Sequence, residues 1–110
     1  MKNVMEIKGY KALIAFDPET NRFRGEFIDL NGGADFYAAD VKSLRREGEI
    51  SLKVFLDMCR EDGVEPRKSY SGKLMVRLPA DLHQRAAVSA ASKGLSLNAW
   101  LADVVEQASA

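Results

Sequence analysis

Lys73, Met75 and Arg77 alternate with Leu74, Val76 and Leu78. In an extended strand a period of two sends the three apolar side chains to one face and the two cations, with the flexible thioether, to the other. That second face suits nucleic acid. Arg77 can form a bidentate contact to guanine in the major groove, Lys73 can reach guanine or a phosphate, and Met75 can pack on a thymine methyl, the least specific of the three contacts. Further along, Ser96-Leu97-Asn98 opens a helical pattern. The Ser96 hydroxyl and the N–H groups of Leu97 and Asn98 there make a helix N-terminus able to anchor a phosphate. The plainer alternative is that Lys73 and Arg77 are solvated charges on an edge strand.

The elements that must position these residues follow in order. Pro79 suits a strand end or the first turn of a helix, because its missing N–H and fixed φ do no harm there. Residues 80–93 are rich in Ala, with Leu82, Ala86 and Ala90 spaced by four and Ser89 beside them, a narrow helical face. Gly94 can take the left-handed conformation that ends a helix, and Ser96 is an N-cap for the next one. Leu97, Trp100, Leu101, Val104, Val105 and Ala108 then make a 3.6-period stripe. A strand and two helices of about forty residues bury too little surface to stand alone. The predicted state is a dimer whose core holds Leu74, Val76 and Leu78 with Trp100, Leu101 and Val104. Strand, Pro, Gly and cap in this order resemble a ribbon-helix-helix DNA-binding module, in which two chains pair their strands into a ribbon that enters the major groove. A helical hairpin ending some other domain is the competing reading.

Residues 1–66 read as a separate β-β-β-α module, making the chain α+β. Tyr10–Phe16 and Arg22–Ile28 are strands joined by Asp17-Pro18-Glu19-Thr20-Asn21, and Ala34–Ala38 is a third after the Asn31-Gly32-Gly33 turn. Asp40 caps a helix running to about Glu61, with Val41, Leu44, Gly48, Leu52, Phe55 and Cys59 on the face that covers the sheet. Ile50, Val54 and Met58 form a second row off that face, available to a partner or absorbed into a wider core. Gly63-Val64-Glu65-Pro66 ends the helix; residues 67–72 read as a linker and residues 73–110 as the DNA-binding domain.

Composition bounds the rest. The 110 residues carry 16 basic and 16 acidic side chains, but residues 1–66 hold 10 Lys and Arg against 13 Asp and Glu, and residues 67–110 hold 6 against 3. The basic half thus carries the DNA strand, and the acidic half suits a protein or basic partner. Cys59 is the sole cysteine, which excludes an intrachain disulfide and points to a reducing cytoplasm. The longest apolar run, Ala12–Phe16, is far too short to span a membrane. A soluble, cytoplasmic protein is expected.

Tyr10 with Phe23-Arg24-Gly25, Gly63-Val64-Glu65-Pro66 and Tyr70-Ser71-Gly72-Lys73 form one series of motifs. It continues through Val76-Arg77-Leu78-Pro79, Leu82-His83 and Gly94-Leu95-Ser96-Leu97-Asn98. Together they resemble the HicB antitoxins of bacterial type II toxin–antitoxin systems. The resemblance implies an N-terminal domain with a partial ribonuclease-H-like fold that masks a small RNA-cleaving, HicA-like toxin. It also implies a C-terminal ribbon-helix-helix domain that binds the operator of its own operon, as a homodimer or a tetramer of paired dimers. A standalone repressor with the same fold and no toxin is the alternative.

A ribonuclease-like fold invites a test for catalysis. Two-metal hydrolysis needs several carboxylates converging on one pocket. The candidates Asp17, Glu26, Asp29 and Asp35 are explained as turn formers and solvated charges. His83, the only histidine, has neither a cysteine nor a second histidine beside it for zinc. No phosphate-binding glycine loop is present, Gly32-Gly33 being a bare turn. The expectation is a binding protein with no metal, no cofactor and no enzymatic activity.

Overall fold

The computed structural model describes residues 3–109, which divide between Ser71 and Gly72 into two compact units. The first unit is an antiparallel sheet of order β1-β2-β3-β4, comprising β1 (Val4–Ile7), β2 (Tyr10–Asp17), β3 (Arg22–Phe27) and β4 (Asp35–Ala38), followed by helix α1 (Val41–Asp62). The second unit contains helices α2 (Ala80–Ser92) and α3 (Leu97–Ala108).

The sheet has one strand more than the β-β-β-α reading allowed. Val4-Met5-Glu6-Ile7 alternates, with Met5 and Ile7 buried, and pairs with β2 in the register Val4↔Leu13 to Ile7↔Tyr10. Lys8 and Gly9 make the tight turn, both with positive φ, 50° and 84°. Paired positive φ values match the right-handed twist of the flanking strands. A lysine in the first of these positions hid the hairpin, since Asn or Asp is the usual signal there.

One face of the sheet is covered by α1, which packs on β1, β3 and β4. Its buried residues Leu44, Gly48, Leu52, Phe55 and Cys59 are the predicted stripe, except that Val41 stays exposed. Asp40 caps the helix, its carboxylate accepting from the Ser43 N–H at 2.8 Å. That bond holds the Asp40 pKa below the ordinary aspartate value. Gly63, at φ 66°, ends the helix in the left-handed conformation, and the Val64 N–H turns back to the Cys59 carbonyl, a Schellman closure.

The core is organised around Phe36. Its ring lies over Gly25, its cross-strand partner on β3, and against Gly48 of α1, where a Cβ would come within 3.0 Å of the ring. Phe27 packs beside it at 5.1 Å between ring centroids. A Gly in mid-helix normally costs about 1 kcal/mol relative to Ala. Here the missing Cβ makes room for an aromatic ring whose burial is worth about 1.5–3 kcal/mol.

In the second unit, α2 ends as the sequence predicts. Gly94 has φ 69°, and the Leu95 N–H bonds the Ala90 carbonyl at 2.9 Å. Ser96 caps α3 by accepting from the Ala99 N–H at 3.0 Å. Residues 73–78, predicted as a strand, form neither strand nor helix in the single chain. A strand is defined by its pairing, and the partner expected for this one is a second chain.

Gly25→Ala forces the Phe36 ring to move, and overpacking of this kind costs about 1–3 kcal/mol. Gly33, around which a Cβ would meet nothing within 4 Å, is the control. Thermal unfolding followed by circular dichroism should show a clear loss in Tm for Gly25→Ala and almost none for Gly33→Ala.

Candidate functional sites

In the second unit none of the predicted DNA-contacting and dimer-core residues is buried in the single chain. Leu74 and Met75 are 80% and 88% exposed, and Val76, Leu78 and Val104 are exposed as well. Trp100 and Leu101 are only half-buried. Ala86 and Ala90 are the buried residues of α2, and α3 has none. Leu97 and Asn98 form the first turn of α3, where N–H groups have no partner inside the helix. The Ser96 side chain is already committed to capping the same turn.

In the first unit, Ile50, Val54 and Met58 are each a little over half exposed along α1. They do not face one uniform surface. Ile50 lines a groove of about 500 Å3 with Lys8, Arg46, Lys53 and Arg60, where Glu49 and Asp57 are the acidic members. Asp57 is held by Lys53 at 3.0 Å and Arg60 at 3.3 Å. The Lys53 hydrogen bond is the main reason its pKa lies below the usual aspartate range. Met58 lines a second groove, of about 510 Å3, with Phe55 and Val64, and among the described residues its charged members are Asp35 and Asp62. Ile50 and Met58, predicted as parts of one partner-binding row, therefore line different grooves.

Residues 67–72, predicted as a linker, are tied down over their first part. The segment 65–70 runs antiparallel to the loop after β3, with Leu30 and Arg67 forming a β-bridge. The Asn31 N–H donates to the Pro66 carbonyl at 2.8 Å and the Lys68 N–H to the Asp29 carbonyl at 2.9 Å. The Arg67 guanidinium donates to the Gly9 carbonyl at 3.0 Å and stacks 3.9 Å from the centre of the Tyr10 ring. The Tyr70 hydroxyl donates to the Asp29 carboxylate at 2.6 Å, which raises the Tyr70 pKa. Leu30 beneath this strap is almost wholly buried. Sequence reasoning missed the strap because Gly9 and Arg67 are 58 positions apart. Its one local signal is a basic and aromatic run, Arg67-Lys68-Ser69-Tyr70, where a passive linker needs neither.

The carboxylates considered for catalysis are each engaged elsewhere. Asp17 accepts from the Glu19 N–H within its own turn, and Asp29 serves the strap. Arg24 bonds Asp35 at 2.6 Å and pairs with Glu26 at 3.1 Å. The Asp35 bond is the chief cause of the raised Arg24 pKa. Among the described residues no three His, Cys, Asp or Glu side chains are grouped so as to hold a metal ion. No described helix is long and apolar enough to cross a membrane.

The matched stretch of a protein-family comparison begins near the end of α1, takes in the strap and residues 73–78, and ends inside α3. Residues 55–105 match the model of the HicB family. This similarity supports an antitoxin role of the HicB type and, with it, a toxin partner. No curated protein and no solved structure matches the chain. The HicB match includes Gly63-Val64-Glu65-Pro66 and everything from Tyr70 to Asn98, whereas the sheet lies outside it.

The strap's hydrogen bonds should protect its backbone from proteolysis, which requires local opening. In limited trypsin digestion read by mass spectrometry, the double variant Tyr10→Ala/Tyr70→Phe should be cut after Lys68 several-fold faster than the unaltered chain. Equal rates would mean that these side chains do not secure the segment.

Proposed function

We propose that the chain is a HicB-type antitoxin with two tasks. Its first unit binds and silences a small basic, HicA-like ribonuclease. Its second unit pairs with another copy as a ribbon-helix-helix dimer and binds the operator of its own operon. The observation that carries the second task is the unfinished core of residues 72–110. Two helices bury chiefly Ala86 and Ala90, while Leu74, Val76 and Leu78 stand exposed beside them in sequence. A unit of this size needs more apolar burial than that to hold its fold. A second copy supplies both the missing core and the missing strand, since pairing residues 73–78 from two chains satisfies their backbone groups together. Lys73, Met75 and Arg77 of each chain then face one major groove, and the α3 N-termini at Ser96, Leu97 and Asn98 meet phosphates. Two such dimers pairing through their first units would give a tetramer.

The first task is supported by the HicB match, by the acidic excess of residues 1–66 and by the open row on α1. A truncated ribonuclease-H-like unit is the reading of the sheet and α1 that goes with it. An acidic unit can occlude the RNA-binding surface of a basic ribonuclease both sterically and electrostatically.

The test combines sedimentation with DNA binding. Analytical ultracentrifugation at micromolar concentration should show a dimer or tetramer; a folded monomer would defeat the pairing. In gel-shift titrations against operator and scrambled DNA, Arg77→Ala should lose about 1–3 kcal/mol and relax sequence preference, as loss of a bidentate base contact does. Ser96→Ala should weaken all sites about equally. Unchanged operator affinity in Arg77→Ala would remove the ribbon from the groove. For the first task, co-expression with the protein encoded by the adjoining reading frame should give co-purification and loss of its RNA cleavage.

A further inference from the structure

Of the four asparagines, Asn3, Asn21 and Asn98 precede Val4, Arg22 and Ala99, and Asn31 alone precedes a glycine. Asparagine is a thermolabile residue. It loses its side-chain amide most readily before glycine, where no side chain shields the backbone nitrogen that attacks. The fold permits no shielding here. Gly32 has φ 151°, and a Cβ on it would come within 2.9 Å of the Phe55 ring. Asn31 and Gly32 are both exposed to water. Among the described residues the Gly32 N–H meets no hydrogen-bond acceptor.

The strap holds the other reacting group. The Asn31 Nδ2 donates to the Glu65 carbonyl at 3.3 Å, and the Asn31 backbone N–H donates to the Pro66 carbonyl at 2.8 Å. Leu30 bridges Arg67. The Asp29 carbonyl accepts from the Lys68 N–H and its carboxylate from the Tyr70 hydroxyl. Residues 29, 30 and 31 are thus fixed one after another by the same segment. The contact to Glu65 depends on the amide N–H, since a carboxylate in its place only accepts.

We propose that Asn31 is a site of spontaneous hydrolytic modification, which the strap restrains and whose conversion loosens the strap. In the first step the Gly32 nitrogen bonds to the Asn31 Cγ while the Cγ–Nδ2 bond breaks. Nδ2 leaves as ammonia, taking the Gly32 amide proton, and a cyclic imide remains. Water then opens the ring. Cleavage of the nitrogen's bond to Cγ gives an aspartate, and cleavage of its bond to the main-chain carbonyl carbon gives an isoaspartate. Either product carries a carboxylate where the amide stood, so the Glu65 carbonyl loses its donor and faces an acceptor. The isoaspartate also inserts an additional carbon into the main chain beside the Leu30–Arg67 bridge. Neither product reverts to the amide, so the conversion acts once in each molecule. The reaction needs water alone, with no toxin, DNA or second copy.

The full chain is incubated for weeks at neutral pH and sampled by tryptic mass spectrometry, in which position 31 falls on the peptide 25–42. That peptide should gain the mass of an amide-to-acid conversion and split into two chromatographic forms, well before the peptides holding Asn3, Asn21 and Asn98 change. Tyr70→Phe, which removes one strap bond, should convert several-fold faster at position 31, because the reaction proceeds from the locally opened strap. Asn21, in the turn after β2, reports general opening and should keep its rate in that variant. Asn31→Asp supplies the product carboxylate directly, and limited trypsin digestion should cut it after Lys68 several-fold faster than the unaltered chain. Conversion at position 31 no faster than at the other asparagines would overturn the proposal. So would an unchanged rate in Tyr70→Phe, an equal rise at Asn21, or unchanged cleavage after Lys68 in Asn31→Asp.

Discussion

The Phe36 ring occupies the space that side chains at Gly25 and Gly48 would need. Gly25 lets β3 and β4 share the ring across one register position. Gly48 lets the middle of α1 come down onto it, with Ile7 of β1 at the same contact. One aromatic thus ties the centre of the sheet, an edge strand and the helix into a single packing problem with one solution. Interiors packed at this density do not absorb an added methyl without moving neighbours. The orientation of α1 follows from it, and so do the features that α1 presents outward: the exposed row of Ile50, Val54 and Met58, and the two grooves that Ile50 and Met58 line.

The same sheet leaves its other face to solvent, as an antiparallel sheet with a single helix layer does. That face is laced by charge, with Arg24 between Glu26 and Asp35 and Arg22 stacked 5.0 Å from the Tyr37 ring centre. Its two edge strands are also tended. The Arg45 side chain donates to the Glu6 carbonyl of β1 and the Ser51 hydroxyl to the Asp35 carbonyl of β4. Side chains of the covering helix thereby occupy edge acceptors that would otherwise be open to strand pairing. The first unit has a closed core and managed edges, whereas the second has open apolar residues and a segment, 73–78, that is neither strand nor helix. Alternating apolar residues left open to solvent are thus a feature of the C-terminal unit.

Much of the chain was legible because the deciding interactions are local. Asp40 meets the Ser43 N–H, Ser96 meets the Ala99 N–H, and Gly63 and Gly94 close their helices. Each partner lies within a turn, so residue type and spacing suffice. The buried stripe of α1 was readable for the same reason, since the 3.6-residue period is a property of the helix alone.

The sequence by itself determined three helices, their caps, the strands β2, β3 and β4, and a C-terminal segment with alternating cationic and apolar residues. Only the tertiary structure decided that Val4–Ile7 joins the sheet, that Arg67 and Tyr70 bind back to Gly9, Tyr10 and Asp29, and that Ile50 and Met58 of the exposed row on α1 line different grooves. In each case the deciding partner lies on another element, brought close by strand register and by the seating of α1 on Phe36. Residues 73–78 go one step further: their alternation is that of a strand, yet they form neither strand nor helix in the single chain, because a strand is defined by pairing and not by alternation alone.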